Sequence, residues 1–128
     1  MKLSYVDTSA AMKLVISEPE SAALAEALAT DRRLVASWLL HTELHCAAGR
    51  HPGDVNVADV QDVLNTMNLV DLTRGDMIAA GTHAPLESND AIHLAVAIRL
   101  GTDEMVTYDL ELAEAAKAAG LAINAPVP

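Results

Sequence analysis

The sequence has few aromatic residues and no long apolar run. Aromatic side chains make up 2% of the 128 residues, and phenylalanine is absent. Because Leu, Val, Ile and Ala must then fill the core, we expect helices packed on a parallel sheet. No apolar stretch approaches the roughly 20 residues of a membrane span, and residues 1–7 lack the apolar region of a signal peptide. We therefore expect a soluble protein without a membrane partner.

Basic residues and cysteine are also scarce. The 8 basic residues face 18 acidic ones, which gives a net charge of −10. Such a charge argues against sequence-independent electrostatic binding to nucleic acid or to an anionic membrane. A polyanionic substrate is still compatible with it if bound cations bridge the two. The single Cys46 excludes an intramolecular disulfide and is typical of a reducing compartment, so we expect a cytoplasmic protein.

Short apolar runs alternate with helical segments along the whole chain. The runs predict strands at residues 3–7, 34–36, 69–72, 105–108 and 121–123. Strands that alternate with helices indicate a parallel sheet with right-handed crossovers. The length suits one domain. We predict an α/β fold over residues 1–128, a short parallel sheet flanked by helices in an α/β/α sandwich.

Helix boundaries are predicted from the usual terminal residues. Gly49 is expected to end a helix over residues 38–48, and Ser88 and Asn89 are expected to cap a helix that begins at Ala91. A further start signal is Thr73 followed three residues later by an acid, which resembles a capping box.

Four carboxylates lie where a solvated face does not explain them. Glu43 shares a helical stripe with apolar residues, and burial of an unpaired carboxylate costs several kcal/mol. Asp90 lies in the first turn of an otherwise apolar helix. Asp7 and Asp109 end two strands of one parallel sheet and project at the same edge, where α/β sheets bind ligands. Thr107 lies on the same strand face as Asp109.

Three of the four acids also have a purely structural interpretation. Asp90 can stabilise a helix dipole, Asp7 can be a turn residue, and Asp109 can cap the helix that follows it. No Lys or Arg lies within one helical turn of Glu43. Four converging acids without a basic cluster favour a site for Mg²⁺, with Mn²⁺ as the alternative, because both ions prefer oxygen ligands.

Four short motifs appear in order along the chain: Asp7-Thr8-Ser9-Ala10, Leu40-His41-Thr42-Glu43-Leu44, Asp90-Ala91-Ile92-His93-Leu94-Ala95 and Val106-Thr107-Tyr108-Asp109. Together they resemble the PIN-domain ribonucleases, and most closely the VapC toxins of bacterial toxin–antitoxin pairs. The resemblance covers essentially the whole chain. It implies a PIN-like fold and a metal-dependent endoribonuclease that cleaves RNA, is inhibited by a cognate antitoxin and forms a homodimer.

The resemblance also implies roles for particular residues. The acidic quartet that would hold the metal and carry catalysis corresponds to Asp7, Glu43, Asp90 and Asp109, supported by the hydroxyls of Thr8, Ser9 and Thr107. Relatives often have a basic or small residue at the position of Glu87 and an apolar one at that of Asn89, so this chain departs from the pattern just before Asp90.

Several further residues have both a functional and a structural interpretation. Lys13, Arg50 and Arg99 are candidate phosphate contacts, each with the alternative of an ordinary solvated charge. We interpret His93 as a hydrogen-bonded core histidine and Cys46 as a small core residue.

Two other function classes stay open. One is a different metal-dependent phosphohydrolase or a DNA nuclease. The other is a non-catalytic module that binds a basic partner segment in the acidic pocket.

Overall fold

The computed structural model describes residues 1–128 and contains one parallel sheet of five strands. The strands are β1 (Lys2–Val6), β2 (Arg32–Ser37), β3 (Asn68–Val70), β4 (Glu104–Val106) and β5 (Ala122–Asn124). Their order in the sheet is β3-β2-β1-β4-β5, and every pair is parallel. The five predicted strands and their parallel arrangement are confirmed, with ends that shift by one or two residues.

Seven helices connect and flank the strands. They are α1 (Thr8–Val15), α2 (Ser21–Leu28), α3 (Trp38–Arg50), α4 (Val57–Asn65), α5 (Arg74–Ala80), α6 (Ser88–Arg99) and α7 (Leu110–Ala118). Helices α1 to α4 pack against one another, and α6 packs against both α5 and α7. None of the seven is long or apolar enough to cross a membrane.

The central strand β1 is where the winding of the sheet reverses. The chain runs outward from β1 through β2 to β3, and later returns on the other side of β1 as β4 and β5. Such a reversal opens a crevice beyond the carboxyl ends of the two neighbouring strands. Val6 of β1 pairs with Val106 of β4, so Asp7 and Thr107 follow at the same level of the sheet.

The core is aliphatic, as the composition predicts. Its main cluster holds 22 buried residues, almost all of them Leu, Val, Ala and Met. Tyr5, on β1, is the one aromatic side chain among the fully buried residues with bulky side chains. Its hydroxyl needs a partner in such surroundings.

Two predicted helix boundaries are wrong. Helix α3 continues through Gly49 to Arg50, because Gly49 has no positive φ and the break comes only with Pro52. Helix α6 begins at Ser88 with Glu87 in the capping position, and no side chain caps it. The predicted capping box at the start of α5 is confirmed, with Thr73 and Asp76 bonded reciprocally.

Candidate active site

Asp7 ends β1 and is almost completely buried at the crevice. Ser9 Oγ lies 2.8 and 2.9 Å from its two carboxylate oxygens, and Thr107 Oγ1 donates to Oδ2 at 2.6 Å. The backbone N–H of Ala10 donates to Oδ1 at 3.0 Å and begins α1. Burial nevertheless raises the pKa of Asp7, because these hydrogen bonds and the His93 ring only partly offset the loss of solvation. An ionised Asp7 would therefore gain from a bound cation.

The same two hydroxyls join the ends of β1 and β4. The backbone N–H of Tyr108 donates to Ser9 Oγ at 2.9 Å, and that of Asp109 donates to Thr107 Oγ1 at 3.1 Å. The two side chains thus hold the β4–α7 turn against Asp7.

Asp109 caps α7, because its Oδ1 accepts the backbone N–H of Leu112 at 2.9 Å. The structural interpretation of this residue is confirmed. Only one carboxylate oxygen is used for the cap, and the other has no hydrogen bond.

Asp90 lies in the first turn of α6, and its carboxylate makes no hydrogen bond. Burial raises its pKa to about 6, helped by the negative charges of Asp109, Glu87 and Asp7. The negative charges of Asp7 and Asp109 thus act on Asp90. Asp7 caps α1 and Asp90 lies in the first turn of α6, so both residues occupy the positions of their structural interpretations. Neither carboxylate forms an ion pair with a Lys or Arg.

Glu43 projects from the middle of α3 and is held from two sides. Thr8 Oγ1 donates to its Oε1 at 2.6 Å, and His93 Nε2 lies 2.6 Å from the same oxygen. Oε2 has one weak contact, 3.4 Å from Asn89 Nδ2. Burial raises the pKa of Glu43, but the hydrogen bonds from His93 and Thr8 outweigh it and lower the pKa overall. Glu43 is therefore ionised at neutral pH.

His93 and Tyr5 form the part of the site that the sequence did not predict. The His93 ring is buried as expected, with its Nδ1 atom 2.7 Å from the Tyr5 hydroxyl. The position of His93 one turn after Asp90 was visible in the sequence. Its partners were not, because they belong to α3 and β1.

One of the three candidate phosphate contacts lies beside the site. Lys13 pairs with Glu18 and Glu20, and Arg99 pairs with Asp76, so both are engaged elsewhere. Arg50 is exposed and lines a cavity of about 510 Å³ together with Glu43, Thr8 and Asn89. No Lys or Arg forms an ion pair with any of the four carboxylates.

Cys46 is exposed, so its assignment to the core is wrong. The residue lines the same cavity as Glu43 and Arg50.

No group of three or more His, Cys, Asp or Glu residues lies close enough together to hold an ion by itself. The donor set still fits a hydrated Mg²⁺. This ion takes one or two carboxylates and keeps several water ligands, so it does not require the carboxylates to touch. The observation that favours a cation here is the half-buried Asp90 carboxylate, which has no ion pair and whose pKa is raised by burial and by its acidic neighbours.

Comparisons with known proteins agree with the fold. A family model described as PIN domain matches residues 4–118. Ribonuclease VapC46 of Mycobacterium tuberculosis is 37% identical, with 98% of this chain and 99% of the relative covered. Ribonuclease VapC35 of the same species is 38% identical over 95% of this chain and 96% of its own.

Solved structures show the same fold at lower identity. A toxin–antitoxin complex from Klebsiella pneumoniae superposes with a TM-score of 0.70 at 18% identity, covering 96% of this chain and 97% of that one. VapC20 of M. tuberculosis, described as a sarcin-ricin loop cleaving toxin, gives a TM-score of 0.69 at 17% identity, covering 92% and 95%. The sequence resemblance is thereby confirmed: the chain belongs to the PIN-domain family, with VapC ribonucleases among its relatives.

Proposed function

We propose that this protein is a metal-dependent endoribonuclease and the toxin of a toxin–antitoxin pair. The observation that carries the proposal is the crevice at the end of β1 and β4, where Asp7 and Asp109 act electrostatically on Asp90 and none of the three forms an ion pair with a Lys or Arg. Glu43 faces the same crevice from α3 through its contact with Thr8. Relatives named ribonucleases at 37% and 38% identity support RNA as the substrate class.

The residues that would hold the ion are Asp7, Glu43, Asp90 and Asp109. A bound Mg²⁺ or Mn²⁺ supplies an activated water and neutralises charge on the phosphate during phosphodiester hydrolysis. Thr8, Ser9 and Thr107 keep three of these carboxylate oxygens occupied by hydroxyl donors, which fixes the orientation of Glu43 and Asp7. Glu43 Oε2, Asp109 Oδ2 and both oxygens of Asp90 have no hydroxyl donor and stay free for a ligand. Asp7 has three donors for its roughly four lone-pair sites, so one site of this carboxylate is still available to an ion.

Substrate binding requires at least one positive group beside the acidic crevice. Arg50 meets this requirement, since it lines the same cavity as Glu43 and has no acidic partner. Its guanidinium can bind a phosphate oxygen pair through two N–H groups. We assign Arg50 to the RNA backbone next to the cleaved bond.

The direct experiment is cleavage of RNA by the purified protein with Mg²⁺, with Mn²⁺ and with excess EDTA. We expect cleavage with either ion and none with EDTA. The variant Asp90→Asn should be inactive, whereas Asp59→Asn, an exposed acid in the first turn of α4, should cleave like wild type. Undiminished cleavage in EDTA contradicts the metal mechanism, and cleavage of DNA in preference to RNA favours the alternative nuclease.

An acidic pocket of this kind also suits an inhibitor that inserts a basic side chain. A guanidinium can bond two carboxylate oxygens at once, and it would replace the charge of the ion. We propose a cognate antitoxin whose basic segment occupies the crevice, on a toxin that is a homodimer. An inhibitor that binds equally well after its basic residues are changed to Ala contradicts this mode of inhibition.

A further inference from the structure

A buried chain of hydrogen bonds runs from the sheet to the Glu43 carboxylate. Tyr5 Oη lies 2.7 Å from His93 Nδ1, and His93 Nε2 lies 2.6 Å from Glu43 Oε1. Tyr5 and His93 are both fully buried. We infer that Tyr5 and His93 are positioning residues that fix which oxygen of Glu43 is presented to the metal ion. The inference rests on the proposed function, because it assumes that Glu43 is a metal ligand.

The donor and acceptor in each of these hydrogen bonds follow from which groups carry a proton. An ionised carboxylate only accepts hydrogen bonds, so His93 Nε2 must carry a proton. The backbone N–H of Ser37 donates to Tyr5 Oη at 3.2 Å, which leaves the tyrosine proton for one of two acceptors. These are His93 Nδ1 at 2.7 Å and Ser37 Oγ at 3.3 Å. The shorter contact indicates that Tyr5 donates to His93, since a hydroxyl donor normally approaches its acceptor within about 3 Å.

Tyr5 thereby selects one tautomer of His93. A neutral histidine has one donor and one acceptor nitrogen, and the hydrogen bond made by one decides the role of the other. With Nδ1 accepting from Tyr5, Nε2 is the nitrogen that donates to Glu43. The Tyr5 hydroxyl on β1 thus controls the hydrogen bond to Glu43 on α3 through the His93 ring on α6.

The two oxygens of Glu43 consequently differ. Oε1 accepts from both His93 and Thr8, each at 2.6 Å, so its lone pairs are used. Oε2 has only the 3.4 Å contact with Asn89. The hydrogen bonds to Oε1 therefore leave Oε2 as the oxygen of Glu43 that is available to an ion. Partners of this kind hold metal ligands in orientation, and their loss typically weakens metal binding roughly 10- to 100-fold.

A buried Tyr–His pair can also exist only to satisfy its own polar atoms. The two roles differ in one measurable respect. A purely structural pair affects stability alone, whereas a positioning pair affects metal affinity in protein that is fully folded. The test therefore measures Mn²⁺ binding by electron paramagnetic resonance, without RNA and far below the unfolding temperature of each variant.

The first comparison is Tyr5→Phe against Tyr108→Phe. Each variant removes one hydroxyl that makes a 2.7 Å hydrogen bond. The Tyr108 hydroxyl donates to the backbone carbonyl of Pro126 and is not part of the series of hydrogen bonds from Tyr5 to Glu43. We expect Tyr5→Phe to bind Mn²⁺ roughly tenfold more weakly and Tyr108→Phe to bind like wild type. Equal affinities in folded Tyr5→Phe and wild type overturn the inference.

The second comparison is His93→Gln against His93→Leu, and it serves where Tyr5→Phe folds poorly. A glutamine amide can still donate to Glu43, whereas leucine cannot. We expect the glutamine variant to bind Mn²⁺ more tightly than the leucine variant. Equal binding by the two variants and wild type contradicts the positioning role.

A last readout separates this inference from the proposed function. Long-range ¹H–¹⁵N correlation spectra of metal-free protein report the His93 tautomer, assigned with the His93→Gln variant. We expect the proton on Nε2 in wild type and a changed tautomer population in Tyr5→Phe. A proton on Nδ1 overturns the inference, whereas a wild type that binds no Mn²⁺ yet keeps the Nε2–H tautomer contradicts the proposed metal centre alone.

Discussion

Thr107 Oγ1 donates to Asp7 Oδ2 at 2.6 Å, and this hydrogen bond joins the end of β4 to the end of β1. Both side chains are almost fully buried, with 1% and 2% exposure. A bond to a buried carboxylate is worth more than one between neutral groups, and its loss leaves Oδ2 with only the 2.9 Å contact from Ser9 Oγ. The pair therefore supports both the fold and the orientation of Asp7.

Thr107→Val should lower the free energy of unfolding by roughly 1–3 kcal/mol, because it removes a donor to a charged group. Thr102→Val is the matched control: its hydroxyl is buried and donates to the backbone carbonyl of Ala97 at 3.0 Å, far from the site. We expect a smaller loss of stability for the control and normal cleavage. Urea unfolding of both variants in EDTA checks the prediction, and equal losses contradict it.

Asp90→Asn should change the pH dependence of stability in metal-free protein. The pKa of Asp90 is raised from 3.8 to about 6, so the folded state binds more protons than the unfolded state in this range. Asp90 contributes favourably to the free energy of unfolding below its pKa in the unfolded state, and this contribution is lost as the pH rises through its pKa in the folded state. The variant should therefore gain stability over wild type as the pH rises from about 4 to 7.

Thermal unfolding of both proteins in EDTA across this pH range measures the difference. Asp59→Asn, an exposed first-turn acid, shows how much the loss of one such carboxylate changes stability by itself. An Asp90→Asn variant that melts well below wild type at pH 7 contradicts the prediction and makes Asp90 a structural residue.

Mg²⁺ should raise the melting temperature of wild type more than that of Asp90→Asn. An ion that binds only the folded state stabilises it in proportion to its affinity and concentration. Removing one ligand carboxylate reduces that affinity. Melting curves with and without Mg²⁺ give the comparison, with Ca²⁺-free buffer in both cases, and equal shifts would exclude Asp90 as a ligand.

Asp76 should show the opposite dependence on pH. Burial raises the pKa of Asp76, but two hydrogen bonds from Arg99 and the capping contacts with Thr73 outweigh it and lower the pKa overall. Asp76 therefore contributes to the free energy of unfolding above its pKa in the unfolded state, and this contribution is lost as the pH falls through its pKa in the folded state. Asp76→Asn should be destabilised by about 1–3 kcal/mol at pH 7, and the deficit should shrink in acid.

Arg50→Gln should weaken RNA binding with a smaller effect on the chemical step. The side chain lines the cavity beside Glu43 but contacts none of the four carboxylates. We expect KM to rise while kcat changes less, since a phosphate contact made before and during reaction contributes uniform binding. Arg33→Gln is the control, because Arg33 is exposed on β2 at the other end of the sheet. Equal kinetics for the two variants contradict the role of Arg50.

The sequence alone was enough for the order of elements and the parallel sheet, and it named four carboxylates as the candidate site. These depend on local patterns, such as short apolar runs and acids at strand ends, that the chain shows without tertiary information. Local residue preference placed two helix boundaries wrongly, since α3 continues past Gly49 to Arg50 and α6 begins three residues before Ala91, at Ser88.

Only the tertiary structure decided how the acids are held. Glu43, His93 and Tyr5 are far apart in the chain, and their hydrogen bonds exist because α3, α6 and β1 meet at one edge of the sheet. The same is true of Arg99, a plausible phosphate contact by sequence, which the fold pairs with Asp76. Sequence spacing predicts which residues share a face of one element. Which faces meet is set by packing of the whole chain, and that packing determined the contact of Asp7 with Thr107 and those of Glu43 with Thr8 and His93.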